Sequence, residues 1–342
     1  MKEVTPIGLR KSEHIRINLD EDVQSGLTSG LEQFRFVHHA IPEINLQDVD
    51  PRVELFGKQL GAPILISSMT GGTSEATKIN LNLAAAAQET HVAMGVGSQR
   101  IALEHPELAS SFQVRHIAPG ILLFANLGAI QLNYGYGIEA CERAIDMIEA
   151  DALILHFNPI QEALQNEGNT QFAGLIHKIE AVCKAVSVPV IAKEVGWGFS
   201  KQDVTLLAQA GVAAIDVAGA GGTSWSQVEM YRAESDTRRQ LAASFSDWGI
   251  PTAESILNVL EVAPELQIIA SGGLRNGVEI AKCVALGASM GGMAGPFLKT
   301  ASQSVEDTVK LINLIKEELS ICMFATGSKT LVELRQGKLI KK

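Results

Sequence analysis

Gly272-Gly273 in SGGLRNG and Ala294-Gly295 in MAGPFL are small residues that close apolar runs, where backbone N–H groups can approach an anion. Thr223, in GGTSW, adds a hydroxyl nearby. Together they point to a bound phosphate. Lys193 interrupts the apolar run VIAKEV, and an ammonium there needs an anionic ligand or a buried carboxylate, Glu194 or another. A lysine so placed also suits the electron-rich N1–C2=O edge of a reduced flavin, and Schiff-base chemistry is open to it. Glu162 follows Gln161 in HFNPIQEALQNEGN. One carboxylate is enough for Mg2+ when phosphate oxygens and water complete the octahedron. His156 ends another apolar run, where a hydrogen-bonded core role and a catalytic role are equally open.

Something must bring these scattered residues together. Eight short apolar runs, each followed by a helical pattern, recur along the chain: 62–69 (APILISSM), 91–98 (HVAMGVGS), 120–128 (GILLFANLG), 150–158 (ADALILHFN), 188–196 (VPVIAKEVG), 213–221 (AAIDVAGAG), 266–273 (LQIIASGG) and 288–296 (ASMGGMAGP). Unbroken apolarity marks parallel strands buried on both faces. The patterns at 138–149, 171–186, 201–210 and 277–286 read as helices, with Ser200 and Asn276 as N-caps. Eight βα units close most naturally into a TIM (β/α)8 barrel, α/β in class, whose site lies at the carboxyl ends of the strands. A doubly wound open sheet builds from the same units, but the G-x-G-x-x-G turn it would carry is missing. Residues 1–60 form an N-terminal extension. Residues 224–249, polar and mixed in charge, are longer than a barrel loop requires and make a candidate lid after the sixth strand.

A chain of 342 residues, 46% hydrophobic and 19% charged, has ample material for one core, and a single domain over 1–342 is expected. Net charge is −10 and the 28 Lys and Arg form no runs, which excludes a nucleic-acid footprint and leaves a small-molecule partner. No segment matches a signal peptide or a membrane span. Cys141, Cys183, Cys283 and Cys322 fall in helical patterns without C-x-x-C spacing, as reduced core residues of a cytoplasmic protein would.

The ordered set RKSEHI (10–15), SSMTGGT (67–73), VGSQR (96–100), ANLGA (125–129), LHFNPIQEALQNEGN (155–169), KEVGWGFS (193–200), DVAGAGGTSW (216–225), SGGLRNG (271–277) and MAGPFL (293–298) resembles the type 2, FMN-dependent isopentenyl-diphosphate isomerases through nearly the whole chain. The resemblance implies interconversion of isopentenyl and dimethylallyl diphosphate on reduced FMN, with NADPH as reductant, Mg2+ on the diphosphate, and assembly as a homo-oligomer, tetramer or octamer. It implies that Ser68, Met69, Thr70, Ser98, Asn126, Lys193, Thr223, Gly272, Gly273, Ala294 and Gly295 hold FMN. Arg10, Lys11, Gln99, Arg100, His156 and Gln161 would face the substrate, with Gln161 and His156 as the catalytic pair, and Glu162 would hold the metal.

Arg10, Lys11 and Arg100 are the cations an acidic protein must gather to bind a diphosphate. Arg10 and Lys11 precede the barrel, so their segment has to fold over its rim. No side-chain acid and base pair is evident there, which suits a reaction whose protons move through the flavin, N5 being the expected atom. The run 165–169 reads Gln-Asn-Glu-Gly-Asn where the family has Gln-Pro-Glu-Gly-Asp, so a carboxylate near the metal is lost. A related FMN-dependent 2-hydroxy-acid oxidase would need a base, generally His, after the sixth strand, where Ala218-Gly219-Ala220-Gly221 stands. An inosine-phosphate-type dehydrogenase would need a loop cysteine. A flavin sensor without catalysis would be yellow but inactive.

Overall fold

The structure is a computed structural model in which residues 6–342 are described; residues 1–5 of the N-terminal extension lie outside them. Each apolar run contains one strand: Ile64–Ile66, Ala93–Gly95, Leu123–Gly128, Ala152–Phe157, Val190–Glu194, Ala214–Asp216, Gln267–Ser271 and Met290–Met293, hereafter strands one to eight. They pair in parallel in that order, and strand eight pairs with strand one to close the barrel. Closure excludes the open sheet.

Alternate side chains of each strand feed two cores, which is why the runs are apolar without a break. Leu65, Phe124, Ile154, Ile191, Ile269 and Met290 fill the barrel interior. Ile64, Ile66, Leu153, Leu155 and Ala192 face the outer helices. Ser200 and Asn276 cap their helices, accepting from the backbone N–H groups of Asp203 and Glu279. Replacing Asn276 by Ala is expected to lower stability by about 1 kcal/mol, read as a shift in denaturation midpoint. The helix expected from residue 171 starts only at Leu175, because Gly174 holds a left-handed φ of 73° that no helix continues through.

The extension divides between the two ends of the barrel. Pro6–Asp20 is a helix at the carboxyl rim, where Arg10 and Lys11 reach the central cavity. At the other end, strands Val53–Leu55 and Lys58–Leu60 form a hairpin that places Leu55 and Leu60 in the interior cluster. Its turn residues Phe56 and Gly57 have φ of 48° and 75°, the left-handed pair a two-residue hairpin turn demands. Phe56 meets Phe124 edge-on at 6.3 Å, so the hairpin plugs the amino end. Between strands six and seven, helices Trp225–Arg232 and Asp236–Ala243 pack on each other, and the first rests against the N-terminal helix and the short helix Pro159–Leu164. All four cysteines are free and helical, and burial pushes their thiols up, Cys183 and Cys322 to about 11. Among the described residues no helix is long and apolar enough to cross a membrane.

Candidate active site

The strand ends enclose a cavity of about 370 Å3. Its far wall is backbone. Gly272 and Gly273 leave strand seven with φ of 105° and 76°. A Cβ on Gly272 would fall 2.1 Å from the Gly219 carbonyl oxygen, and one on Gly273 2.3 Å from that of Gly221. No larger residue fits either place. Thr223, Ala294 and Gly295 line the same wall. The hydroxyls of Ser67 and Ser68, just past strand one, are buried without a hydrogen-bond partner. Buried donors are seldom left unsatisfied, which suits these two to a polar ligand in the cavity they line. Met69, Thr70, Ser98 and Asn126 complete that side.

Lys193 projects from strand five. Its ammonium donates to the Glu194 carbonyl at 2.9 Å and lies 3.4 Å from the Asp216 carboxylate, on the adjoining strand. Glu194 itself points elsewhere, its Oε2 accepting from the N–H groups of Val195, Gly196 and Trp197 at 2.6–2.8 Å. Beside Lys193 on strand four, His156 Nδ1 is 2.8 Å from Asn126 Oδ1. Burial, aided by the positive charges of Lys193 and Lys11, pushes His156 down to about 4. It is a neutral imidazole at pH 7, with Nδ1–H donating to Asn126.

Cations gather at the mouth. Lys11 donates to the Ser98 carbonyl at 2.8 Å and lies 5.0 Å above the Phe112 ring. Burial and neighbouring Arg10 push it down to about 7. Arg10 donates to Gln165 at 3.0 Å, and Arg100 is held by Glu104 at 2.7 Å and stacks on Tyr136 at 5.6 Å. Gln161 and Glu162 stand on the first turns of the helix after strand four. Asn158 Nδ2 donates to Gln161 Oε1 and to Glu162 Oε1, both at 3.0 Å, while the Asn169 N–H donates to Glu162 Oε2 at 2.6 Å. Asn158 Oδ1 is buried and unpartnered. The 165–169 loop wraps Glu162 so tightly that a Cβ on Gly168 would lie 1.7 Å from its carbonyl oxygen.

One sequence expectation is corrected. Gln99, taken to face the substrate, is fully buried behind the rim: its amide donates to Ala144 O at 2.8 Å and accepts from Asn126 N at 2.9 Å. It bridges strand three to the helix Ile138–Ile148 and supports Asn126 from below. Every other expected site residue lines the cavity. The structure adds some that sequence reading missed. Glu229, from the helix Trp225–Arg232, accepts from Gln161 Nε2 at 3.1 Å, Gln165 Nε2 at 2.9 Å and Arg232 at 2.6 Å, and lies 3.4 Å from His14. Burial opposes its ionisation, but His14, Arg232 and Gln161 overcome this and hold its carboxyl down at about 2. His14 rests edge-on against Trp225 at 5.0 Å.

The comparisons with known proteins give the family. Residues 147–341 match the model of the FMN-dependent dehydrogenase family. An isopentenyl-diphosphate delta-isomerase of Nostoc sp. is 52% identical, over 96% of this chain and 94% of its own. The chain belongs to the isopentenyl-diphosphate delta-isomerase family. Other members of that family include those of Rickettsia peacockii, 50% identical over 96% of both chains, and Rickettsia prowazekii, 49% identical over 97% of both. In fold, the chain is similar to a mandelate oxidase mutant with a monooxide FMN adduct, at a TM-score of 0.66 with 18% identity, covering 96% of this chain and 95% of that one. Within the isomerase family frame, the signal for Glu229 lay in SWSQVEMYR: its position on the segment after strand six was legible, its inward direction was not.

Proposed function

We propose that this protein interconverts isopentenyl and dimethylallyl diphosphate. The observation that carries the reading is half-identity, over nearly the full length, to relatives bearing that name, joined to a rim that has an anion-binding wall and a separate cationic mouth. Ser67, Ser68, Lys193 and the glycines at 272 and 273 suit FMN: they supply unpartnered hydroxyls, one cation and a wall no side chain can occupy. When bound and reduced by NADPH, FMN supplies the acid–base group that exchanges protons with the alkene. Glu162 and the free Asn158 Oδ1 are oxygen donors suited to Mg2+. Among the described residues no group of three or more His, Cys, Asp or Glu side chains could hold a metal ion, and diphosphate oxygens and water suit the remaining positions.

This chain's own residues bind and orient. Arg10, Lys11 and Arg100 take the diphosphate. The Gln161 amide is fixed at both ends, its oxygen by Asn158 and its nitrogen by Glu229, so it is presented to the cavity in one orientation only. Neutral His156 offers Nε2 as an acceptor without adding a charge beside a state of carbocation character. Trp225 closes part of the cavity wall with an apolar ring. The protein is cytoplasmic and works as a homo-oligomer, tetramer or octamer, a mass that sedimentation checks.

Isomerisation is expected when isopentenyl diphosphate is supplied with FMN, NADPH and Mg2+, and loss of turnover with 5-deazaflavin; activity without any flavin would overturn the reading. Gly273→Ala, which forces a Cβ into the Gly221 carbonyl, is expected to abolish FMN retention, measured as loss of yellow colour on gel filtration.

A further inference from the structure

The Lys193 ammonium has three N–H donors, and the structure places one of them in a hydrogen bond. It goes to the Glu194 carbonyl at 2.9 Å; the ammonium also forms an ion pair with Asp216 Oδ2 at 3.4 Å, and Lys193 lines the cavity, which leaves it a donor to address there. Asp216 is wholly buried, and its other oxygen is pinned by the Ser271 hydroxyl at 2.6 Å. Oδ2 makes no hydrogen bond of its own, so the carboxylate is held for its charge. Strands five, six and seven thus contribute one residue each to a dry chain running from Ser271 through Asp216 to Lys193.

We infer that Asp216 is a positioning residue that aims the Lys193 ammonium into the cavity and offsets part of the positive field it casts there. The inference rests on the FMN reading above and names the partner that tunes that group. A buried carboxylate beside the lysine offsets its charge, and a flavin accepts electrons more readily the more positive its surroundings. Asp216 therefore keeps the bound flavin less oxidising than the lysine alone would make it.

The test is the midpoint potential of FMN on the purified holoenzyme. Asp216→Asn is expected to shift it positive by at least a tenfold change in the two-electron equilibrium, about 30 mV. Lys193→Met is expected to shift it negative. In the Lys193→Met background, Asp216→Asn is expected to shift it by clearly less, because the part of the effect that comes from aiming and offsetting the ammonium is gone. Asp216→Ser removes the same charge with a smaller side chain and serves if the Asn variant fails to fold. An unmoved potential in a folded, FMN-bearing neutral variant overturns the inference, as does an equal shift with and without Lys193. Wild-type protein that takes up no FMN would overturn the FMN reading and this inference together, whereas FMN held at an unmoved potential overturns the inference alone.

Discussion

Replacing Glu229 by Ala is expected to lower kcat by about 10²-fold while FMN affinity stays at the wild-type value, because misplacing a reacting group by about 1 Å costs that much. Gln161 Nε2 is held by Glu229 at 3.1 Å, and the same carboxylate gathers Gln165 and Arg232. Without it the amide loses one of its two anchors and the helix Trp225–Arg232 loses its tie to the site. Glu229→Gln, which still presents an acceptor oxygen to Gln161 but no charge to Arg232, is expected to fall between wild type and Ala. Steady-state kinetics with flavin-saturated enzyme decides: a kcat within threefold of wild type in the Ala variant would show that Glu229 does not set the amide. The pH dependence has a definite sign. The folded carboxyl lies at about 2 against an ordinary 4.5, so its contribution to stability is complete above pH 4.5 and is lost as pH falls toward 2. No titration of Glu229 should appear in a pH–rate profile near neutrality.

The barrel was legible because its signal is repeated: a double-sided parallel strand must be apolar throughout, and eight such runs leave few other architectures. The rim residues were legible where the strand end itself fixes direction, as at Lys193, His156 and the Gly272-Gly273 turn. Lys193 could be seen to need a counter-charge, yet neighbours on a strand point to opposite faces, so Glu194 could not supply it and the cross-strand residue Asp216 does. Gln99 failed for a similar reason. It precedes the helix Arg100–Glu104, and its side chain turns into the barrel wall while Arg100 turns to the cavity. Glu229 was hidden because a carboxylate in a mixed-charge helix looks like a solvated surface residue until a tertiary contact buries it. Even the extension, read as one segment over the rim, splits between both ends of the barrel, since nothing local tells Leu55 and Leu60 which core they will join.

Lys11 carries the other large effect. Its ammonium rests on Phe112 and the Ser98 carbonyl, and burial with Arg10 nearby pushes it down to about 7. A charge-assisted contact to a diphosphate is worth about 1.5–3 kcal/mol, so Lys11→Met is expected to raise KM for isopentenyl diphosphate by about tenfold to a hundredfold. In wild-type enzyme KM is expected to climb as pH rises above 7, since the free enzyme then loses the ammonium and binding must recover a proton. The Met variant should lack that part of the pH dependence, which separates it from titration of the diphosphate itself. Stability should move the opposite way. Between pH 7 and 10.5 the unfolded chain binds a proton at Lys11 that the folded chain does not, so stability rises with pH across that window and the full penalty is present below 7. Lys11→Met removes the penalty, and the substrate-free protein is expected to melt higher at neutral pH although it binds its substrate worse. A variant that melts lower, with a wild-type KM profile, would mean that this lysine is structural and that Arg10 and Arg100 hold the diphosphate without it.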